Sequence, residues 1–189
     1  MVAYSGATVT FTIRGTSKDY NWEADKMYEI NKFKVKAPSD SSITVKGFTL
    51  TMTGTDELDL RRYLEKAEVA VDGTTVSSTW EVNKDSQLVI AFKKDVELAA
   101  KDNKEFVVSA SFGDNFYNDY GKKLQLGVLV TSDFNAIDDK TNSRVTIETD
   151  IKGAAWPVYV FKGGKVKVTN TRLGNVDGAQ AANDVVIGE

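Results

Sequence analysis

Oxygen-bearing side chains recur in the stretch from 133 to 139, where Asp133, Asn135, Asp138 and Asp139 stand among apolar residues. Carboxylate and amide oxygens grouped in one loop are the ligands that Ca²⁺ prefers. The stretch lacks the glycine and the terminal glutamate of an EF-hand loop, so it is not that motif. The sequence therefore predicts a metal site for calcium at these four residues, and it predicts no other cofactor. The alternative is a solvated loop stabilised by Asx turns.

Aromatic side chains form a second candidate site in the loop from 113 to 122. Phe116, Tyr117 and Tyr120 lie there among Asp and Asn residues, and exposed rings of this kind stack against sugars or against a partner protein. The sequence predicts ligand binding by these three residues, and the alternative is packing over one end of the fold. A predicted strand, Leu124–Thr131, separates this loop from the acidic stretch, which argues against one shared ion site.

Enzymatic chemistry has few candidate residues in this chain. The sequence has no histidine and no cysteine, which excludes Ser-His-Asp and thiol mechanisms. Asp56, Glu57 and Asp59 form an acidic cluster, and a carboxylate pair at a suitable separation can hydrolyse glycosides. Clustered surface acids are far more often solvated than catalytic. We therefore expect no catalytic residues and no enzymatic activity.

The composition limits the classes of partner. The chain has 189 residues, 41% of them hydrophobic, with a formal net charge of −3, so it can bury a core and has no basic surface for nucleic acid. It contains no run of about 20 apolar residues that would predict membrane insertion. The first five residues lack the basic and apolar regions of a signal peptide. The expected extracellular location therefore requires that a leader has been removed.

Short β-prone runs with turn residues between them dominate the chain. Around Asp72-Gly73, two alternating segments predict a hairpin with a type I′ turn, because Asp-Gly accepts positive φ angles. Changes in the alternation near Asn31 and Gly47 predict β-bulges. The segment from 56 to 65 predicts one helical turn, capped by Thr55 or Asp56.

Strands at this spacing predict an all-β, immunoglobulin-like β-sandwich with that helical turn and a small β-rich C-terminal extension. We expect the sandwich to span residues 1–150. The glycine-rich extension, residues 151–189, is expected to pack on the same domain or on a neighbouring subunit.

Four strand motifs resemble a known family. Phe33-Lys34-Val35, Ile43–Leu50, Val69–Thr74 and Phe106-Val107-Val108 are similar in type and order to motifs of immunoglobulin-like β-sandwich modules in bacterial S-layer and other cell-surface proteins. The chain differs at Ala99–Asp102, where those modules often carry a Pro-Ala-Gly turn. The resemblance implies a structural or adhesive role outside the cell and transfers no active-site residues.

The leading functional hypothesis is a structural subunit of an extracellular surface layer, pilus or filament. Its expected partners are copies of itself or other surface proteins. Strand addition by Ala7–Ile13 or by Val185–Ile187 would join neighbours, and the alternative is that these segments pair within their own chain. A second hypothesis is a carbohydrate-binding or adhesin module in which the three loop aromatics bind glycans.

Overall fold

The computed structural model describes residues 6–54, 58–113, 116, 120–148 and 155–163. Most of the described elements are strands, which in chain order are β1 (Thr8–Ile13), β2 (Lys18–Asn21), β3 (Tyr28–Lys36), β4 (Ile43–Met52), β5 (Leu64–Val71), β6 (Thr74–Val76), β7 (Ser78–Val82), β8 (Leu88–Leu98), β9 (Asn103–Phe112), β10 (Lys123–Leu124), β11 (Leu126–Gly127), β12 (Phe134–Asp138), β13 (Ser143–Arg144), β14 (Thr146–Ile147) and β15 (Tyr159–Lys162). Short helical turns lie at α1 (Leu60–Tyr63) and, in 3-10 geometry, at Thr131–Asp133.

These strands form three sheets. Sheet 1 has the order β14-β1-β3-β9-β5-β6, and sheet 2 has the order β13-β12-β4-β8-β7, with β11 also pairing with β4. Sheet 3 is smaller and has the order β10-β15-β2. Two of the described pairings, β1 with β14 and β2 with β15, are parallel, and the others are antiparallel.

Sheets 1 and 2 pack face to face around phenylalanine rings. Phe33 on β3 meets Phe48 on β4 edge to face, with ring centroids 5.2 Å apart. Phe11 on β1 meets Phe134 on β12 in the same way at 5.0 Å. All four rings are buried, and each such burial stabilises the fold by roughly 1.5–3 kcal/mol. The predicted all-β sandwich is therefore confirmed.

Both sides of the sandwich are formed by chain segments that cross from one sheet to the other. The segment from β6 to β7 leaves sheet 1 and enters sheet 2 within one residue, Ser77. The segment from β13 to β14 crosses in the opposite direction at Val145. Each segment therefore supplies the edge strands of both sheets on its side.

The hairpin at Asp72-Gly73 is confirmed. Val71 pairs with Thr74, and both turn residues have positive φ, 49° at Asp72 and 80° at Gly73, as a type I′ turn requires. The turn is also attached to the neighbouring strand β9. The Asp72 carboxylate accepts from the Glu105 N–H at 2.9 Å, and the Asp72 N–H donates to the Glu105 carbonyl.

Both predicted bulges are confirmed by register shifts. The pairing of β3 with β9 shifts between Glu29 and Asn31, and the pairing of β4 with β8 shifts between Val45 and Gly47. A bulge moves the following residues to the other face. It therefore keeps apolar side chains facing the core on both sides of the irregularity.

Two regions differ from what the sequence predicts. The polar stretch from 15 to 25, in which no strand was predicted, contains β2, which pairs with β15. In place of the predicted strand Leu124–Thr131, the two-residue strands β10 and β11 join different sheets, and residues 128–131 are not in a strand.

The helical turn is shorter than predicted and has a different cap. Asp59 caps α1, since its carboxylate accepts from the Arg61 N–H at 3.0 Å. The predicted caps, Thr55 and Asp56, lie outside the described residues. No helix in the described part of the chain is both long and apolar enough to span a bilayer.

The two chain ends differ in what the structure describes. β1 pairs within its own chain, with β3 on one side and β14 on the other. This is the alternative that the sequence offered to strand addition by this segment. The described part of the extension, residues 155–163, packs on the same chain through β15. Val185–Ile187 lie outside the described residues.

The bulge in β4 leads to a prediction about Gly47. This residue has a φ of 157°, and a Cβ there would overlap the Ile90 carbonyl oxygen. Because β8 cannot move away without breaking its pairing, we expect Gly47→Ala to lower the free energy of unfolding by about 3 kcal/mol.

Gly73→Ala is the matched control for this variant. Its φ of 80° also favours glycine, but no atom lies within 4 Å of a Cβ built there, so we expect a loss of about 1 kcal/mol. Urea unfolding of both variants measures the difference, and equal losses would contradict the steric explanation.

Candidate functional site

The acidic stretch from 133 to 139 is a strand and not a loop. β12 occupies Phe134–Asp138, with Asp133 in the 3-10 turn before it and Asp139 directly after it. At about 3.3 Å per residue, the backbone positions of Asp133 and Asp139 are about 20 Å apart. One ion cannot be held by both ends of this stretch.

Asp138 is the most heavily bonded side chain of the stretch. It is 2% exposed. One carboxylate oxygen, Oδ2, accepts from the Ala7 N–H at 3.1 Å and from the Thr141 hydroxyl at 2.6 Å. The other, Oδ1, accepts from the Ser41 hydroxyl and from the Lys140 N–H, the latter at 3.1 Å. Four donors from three chain segments therefore converge on one carboxylate, and we call this group the Asp138 latch.

The Asp138 latch keeps its carboxylate charged. Burial by itself would raise the pKa of Asp138, but the hydrogen bonds from Ser41, Thr141, Lys140 and Ala7 favour the ionised form, and together they lower the pKa from 3.8 to about 2. The latch joins the residue before β1, the β3–β4 connection and the β12–β13 turn. It therefore acts as a structural crosslink between segments that are distant in sequence.

The other predicted calcium ligands have separate surroundings. The Asp133 carboxylate accepts from the N–H groups of Leu129 and Val130 at 3.2 and 3.3 Å. The Asp139 carboxylate accepts from the hydroxyls of Ser42 and Thr44 at 2.8 and 2.7 Å.

Asn135, the fourth predicted ligand, lies within β12, where it pairs with Gly47. The four residues are thus not brought together as one cage. In the described part of the chain, no group of three or more acidic residues is placed to hold a metal ion. Calcium binding stays a prediction.

Of the three predicted aromatic residues, the structure describes Phe116 and Tyr120, and their surroundings differ. Phe116 is fully buried, and its ring contacts Phe112 and Phe161 at 5.2 Å each. For Phe116 the structure therefore agrees with the alternative prediction, which is packing over one end of the fold and not ligand binding. Tyr120 is 37% exposed and lies beside Trp22, with centroids 6.3 Å apart. Tyr117 lies outside the described residues, so glycan binding by this loop stays a prediction.

Sequence reasoning missed the aromatic cluster to which Phe116 belongs. β2 and β15 bring Tyr20 and Tyr159 together in a stack, with centroids 5.7 Å apart. The Tyr159 hydroxyl donates to a carboxylate oxygen of Glu29 at 3.3 Å. Burial, and then the negative charge of Glu29, raise the pKa of Tyr159. This tyrosine therefore stays a neutral donor, and the cluster attaches sheet 3 to the end of the sandwich.

The third acidic group is only partly described. Asp59 caps α1, whereas Asp56 and Glu57 lie outside the described residues. Beside α1, an open depression is lined by Met52, Leu58, Asp59, Arg61, Arg62 and Ser86. Its described charges are one carboxylate and two guanidinium groups, so it does not present the carboxylate pair of a glycosidase.

No protein-family model matches this chain, and no curated protein matches it in sequence. Its function therefore has to be inferred from the residues and geometry of the chain itself. Among the described candidate residues, the Asp138 latch has the most complete set of contacts, and those contacts are structural. One sequence signal was present: the Lys140 N–H donates to Asp138 two residues before it, which is the Asx turn that the sequence offered as an alternative to calcium.

The Asp138 latch leads to a prediction about stability. Asp138→Asn places an amide donor among four donors and removes the charge, so we expect a loss of about 3 kcal/mol in the free energy of unfolding. Asp139→Asn, at an exposed neighbouring position, should change it by about 0.5 kcal/mol or less. Urea unfolding at neutral pH compares the two variants.

The same variants test the pH dependence. The folded pKa of Asp138 is below its ordinary value, so the latch stabilises the fold above pH 3.8, and about 2 kcal/mol is lost as the pH falls towards 2. Asp138→Asn should lack this part of the acid sensitivity, and Asp139→Asn should keep it. An unchanged acid profile in Asp138→Asn would contradict the role of the latch.

Calcium binding leads to a separate prediction. A cation that binds only the folded chain raises the melting temperature, and a chelator reverses the effect. We expect added calcium to raise the midpoint if Asp133 or Asp139 binds the ion, and Asp133→Asn combined with Asp139→Asn should abolish the shift. Identical melting curves with calcium and with chelator would contradict calcium binding.

Proposed function

We propose that this chain is a structural subunit of an extracellular surface layer, pilus or filament, in which it bears load among copies of itself or other surface proteins. One observation carries the proposal: an early strand pairs in parallel with a late strand in two of the three sheets. β1 pairs with β14 in sheet 1, and β2 pairs with β15 in sheet 3.

Parallel pairing determines how tension acts on such strands. The chain enters β1 at one end of the pair and leaves β14 at the opposite end, so tension along the chain pulls the two strands past each other. The evenly spaced backbone hydrogen bonds of a parallel pair then share the load. In an antiparallel pair pulled from one open end, the bonds break one after another. The arrangement of β2 and β15 has the same consequence.

The Asp138 latch is a second observation that supports the proposal. It holds the Ala7 N–H at the point where the described chain enters β1, and it ties this point to Ser41 and to the β12–β13 turn. Tension that reaches β1 is therefore passed to both sheets. The resemblance of four strand motifs to cell-surface modules supports the extracellular setting.

Single-molecule pulling tests the load-bearing role. The chain has no cysteine, so introduced cysteines give unique handles. We expect a force several-fold higher when the chain is pulled from its two ends than when it is pulled from Ser77→Cys and Lys94→Cys. Those positions lie at one open end of the antiparallel β7–β8 pair, where the bonds unzip in turn. Forced unfolding reports the barrier and not the equilibrium stability.

Two controls make the result decisive. The melting temperature of the cysteine variant must equal that of the unmodified chain, so that the force difference reflects geometry alone. Electron microscopy of the purified full chain should show ordered layers or filaments. Equal forces in the two geometries, together with single particles at every concentration, would overturn the proposed function.

A further inference from the structure

Among the strands at the ends of the described sheets, β7 is the longest, with five residues. On one side β7 pairs with β8 over five residues, from Ser78 with Phe92 to Val82 with Leu88. No described strand pairs with its other side. Edge strands present backbone donors and acceptors that a strand of another chain can use.

The register shows which backbone groups of β7 face outward. The Lys93 N–H donates to the Ser77 carbonyl at 2.9 Å, and the Asn83 N–H donates to the Gln87 carbonyl at 3.0 Å. In an antiparallel pair, hydrogen-bonded positions alternate. The backbone groups of residues 79 and 81 therefore also face β8, whereas those of Ser78, Trp80 and Val82 face away from it.

The other terminal strands of the described sheets are shorter or already engaged. β6 has three residues, and β13 and β14 have two each. On β2, the Asn21 carbonyl already accepts from the Tyr28 hydroxyl at 2.9 Å. β7 also contains no proline, and its pairing with β8 has no register shift. It therefore lacks two of the devices that protect edge strands from pairing.

We propose that β7 pairs antiparallel with β7 of a second copy of this chain, with Trp80 on the two-fold axis. The proposal rests on the proposed function for the identity of the partner, a second copy. In this register Ser78 of one copy lies opposite Val82 of the other, and Trp80 lies opposite Trp80. All three outward-facing residues are then hydrogen-bonded pairs, which gives about six backbone hydrogen bonds between the copies.

Charge selects the same register. Glu81 is the one charged residue of β7, and with Trp80 at the centre it lies opposite Thr79 of the second copy. Shifting the centre to Glu81 places two glutamates opposite each other and leaves only Trp80 and Val82 as outward-facing pairs. Like charges directly opposite each other destabilise a strand pair. The strand is therefore most self-complementary about Trp80.

The side chains of β7 suit this pairing. Trp80 and Val82 are half-buried and pack against the core, whereas Thr79 and Glu81 are exposed on the outer face. A two-fold axis at Trp80 keeps both faces aligned, so the two indoles become neighbours on the core side. The two copies of sheet 2 join into one continuous sheet. Such a contact is closed by symmetry and makes a dimer.

Analytical ultracentrifugation of the full chain and of Thr79→Glu tests the proposal. The unmodified chain should dimerise reversibly between micromolar and millimolar concentration. Thr79→Glu places the introduced carboxylate opposite Glu81 of the other copy, twice in each dimer, and should weaken dimerisation by about tenfold. The swapped variant T79E/E81T separates the charges again and should restore the dimer.

Thr75→Glu is the matched control. Thr75 is an exposed threonine on the neighbouring edge strand β6, so this variant has the same charge change and should dimerise as the unmodified chain does. A chain that stays monomeric throughout overturns the proposal. It is also overturned if Thr79→Glu and Thr75→Glu dimerise to the same extent. A Thr79→Glu variant with a lower melting temperature but unchanged dimerisation would overturn it too, because another segment of the same chain would then cover β7.

The outcomes also separate this proposal from the proposed function. Layers or filaments that persist unchanged in Thr79→Glu would support assembly and overturn the β7 contact. A dimer that is sensitive to Thr79→Glu and restored by T79E/E81T, with no larger assembly in electron microscopy, would support the β7 contact while counting against a layer or filament.

Discussion

Backbone N–H and C=O groups at the edge of a β-sheet must find partners or stay in water, and this requirement governs the architecture of the chain. Two segments solve it by switching sheets, one at Ser77 and one at Val145. Each supplies an edge strand to both layers, so the sheets are tied together along both sides as well as through the core. β7 is the longest of these edges, and its outward backbone groups are what a second strand could use.

The same requirement explains the positions of two charged side chains. The Asp138 carboxylate is buried, which is tolerated because four donors surround it. The Asp72 carboxylate accepts the Glu105 N–H at the end of a hairpin. Both acids serve as partners for the backbone or for hydroxyl groups of distant segments. A carboxylate used in this way holds strands together, which agrees with a structural role for the chain.

Local chemistry made part of the fold predictable. The hairpin at Asp72-Gly73 follows from the positive φ angles that this dipeptide accepts, and the bulges follow from breaks in the alternation near Asn31 and Gly47. In each case neighbouring residues carry the whole signal. β2 was missed because the polar sequence of Lys18–Asn21 shows no alternation. Its partner strand lies about 140 residues later in the chain, where no local pattern could indicate it. Leu124–Thr131 was predicted as one strand because apolar spacing cannot show that Leu124 and Leu126 join different sheets.

The candidate sites show the same difference between features that neighbouring residues determine and features that depend on distant strands. The sequence by itself determined that the chain is an all-β sandwich without histidine or thiol chemistry, because residue types and their alternation are local properties. Only the tertiary structure decided that Asp138 is a buried latch and that Phe116 is a core ring. The partners of these side chains, Ala7 and Ser41 for one and Phe161 for the other, lie far away along the chain. A side chain becomes a ligand, a platform or a crosslink through its neighbours in space, and long-range strand pairing is what brings those neighbours together.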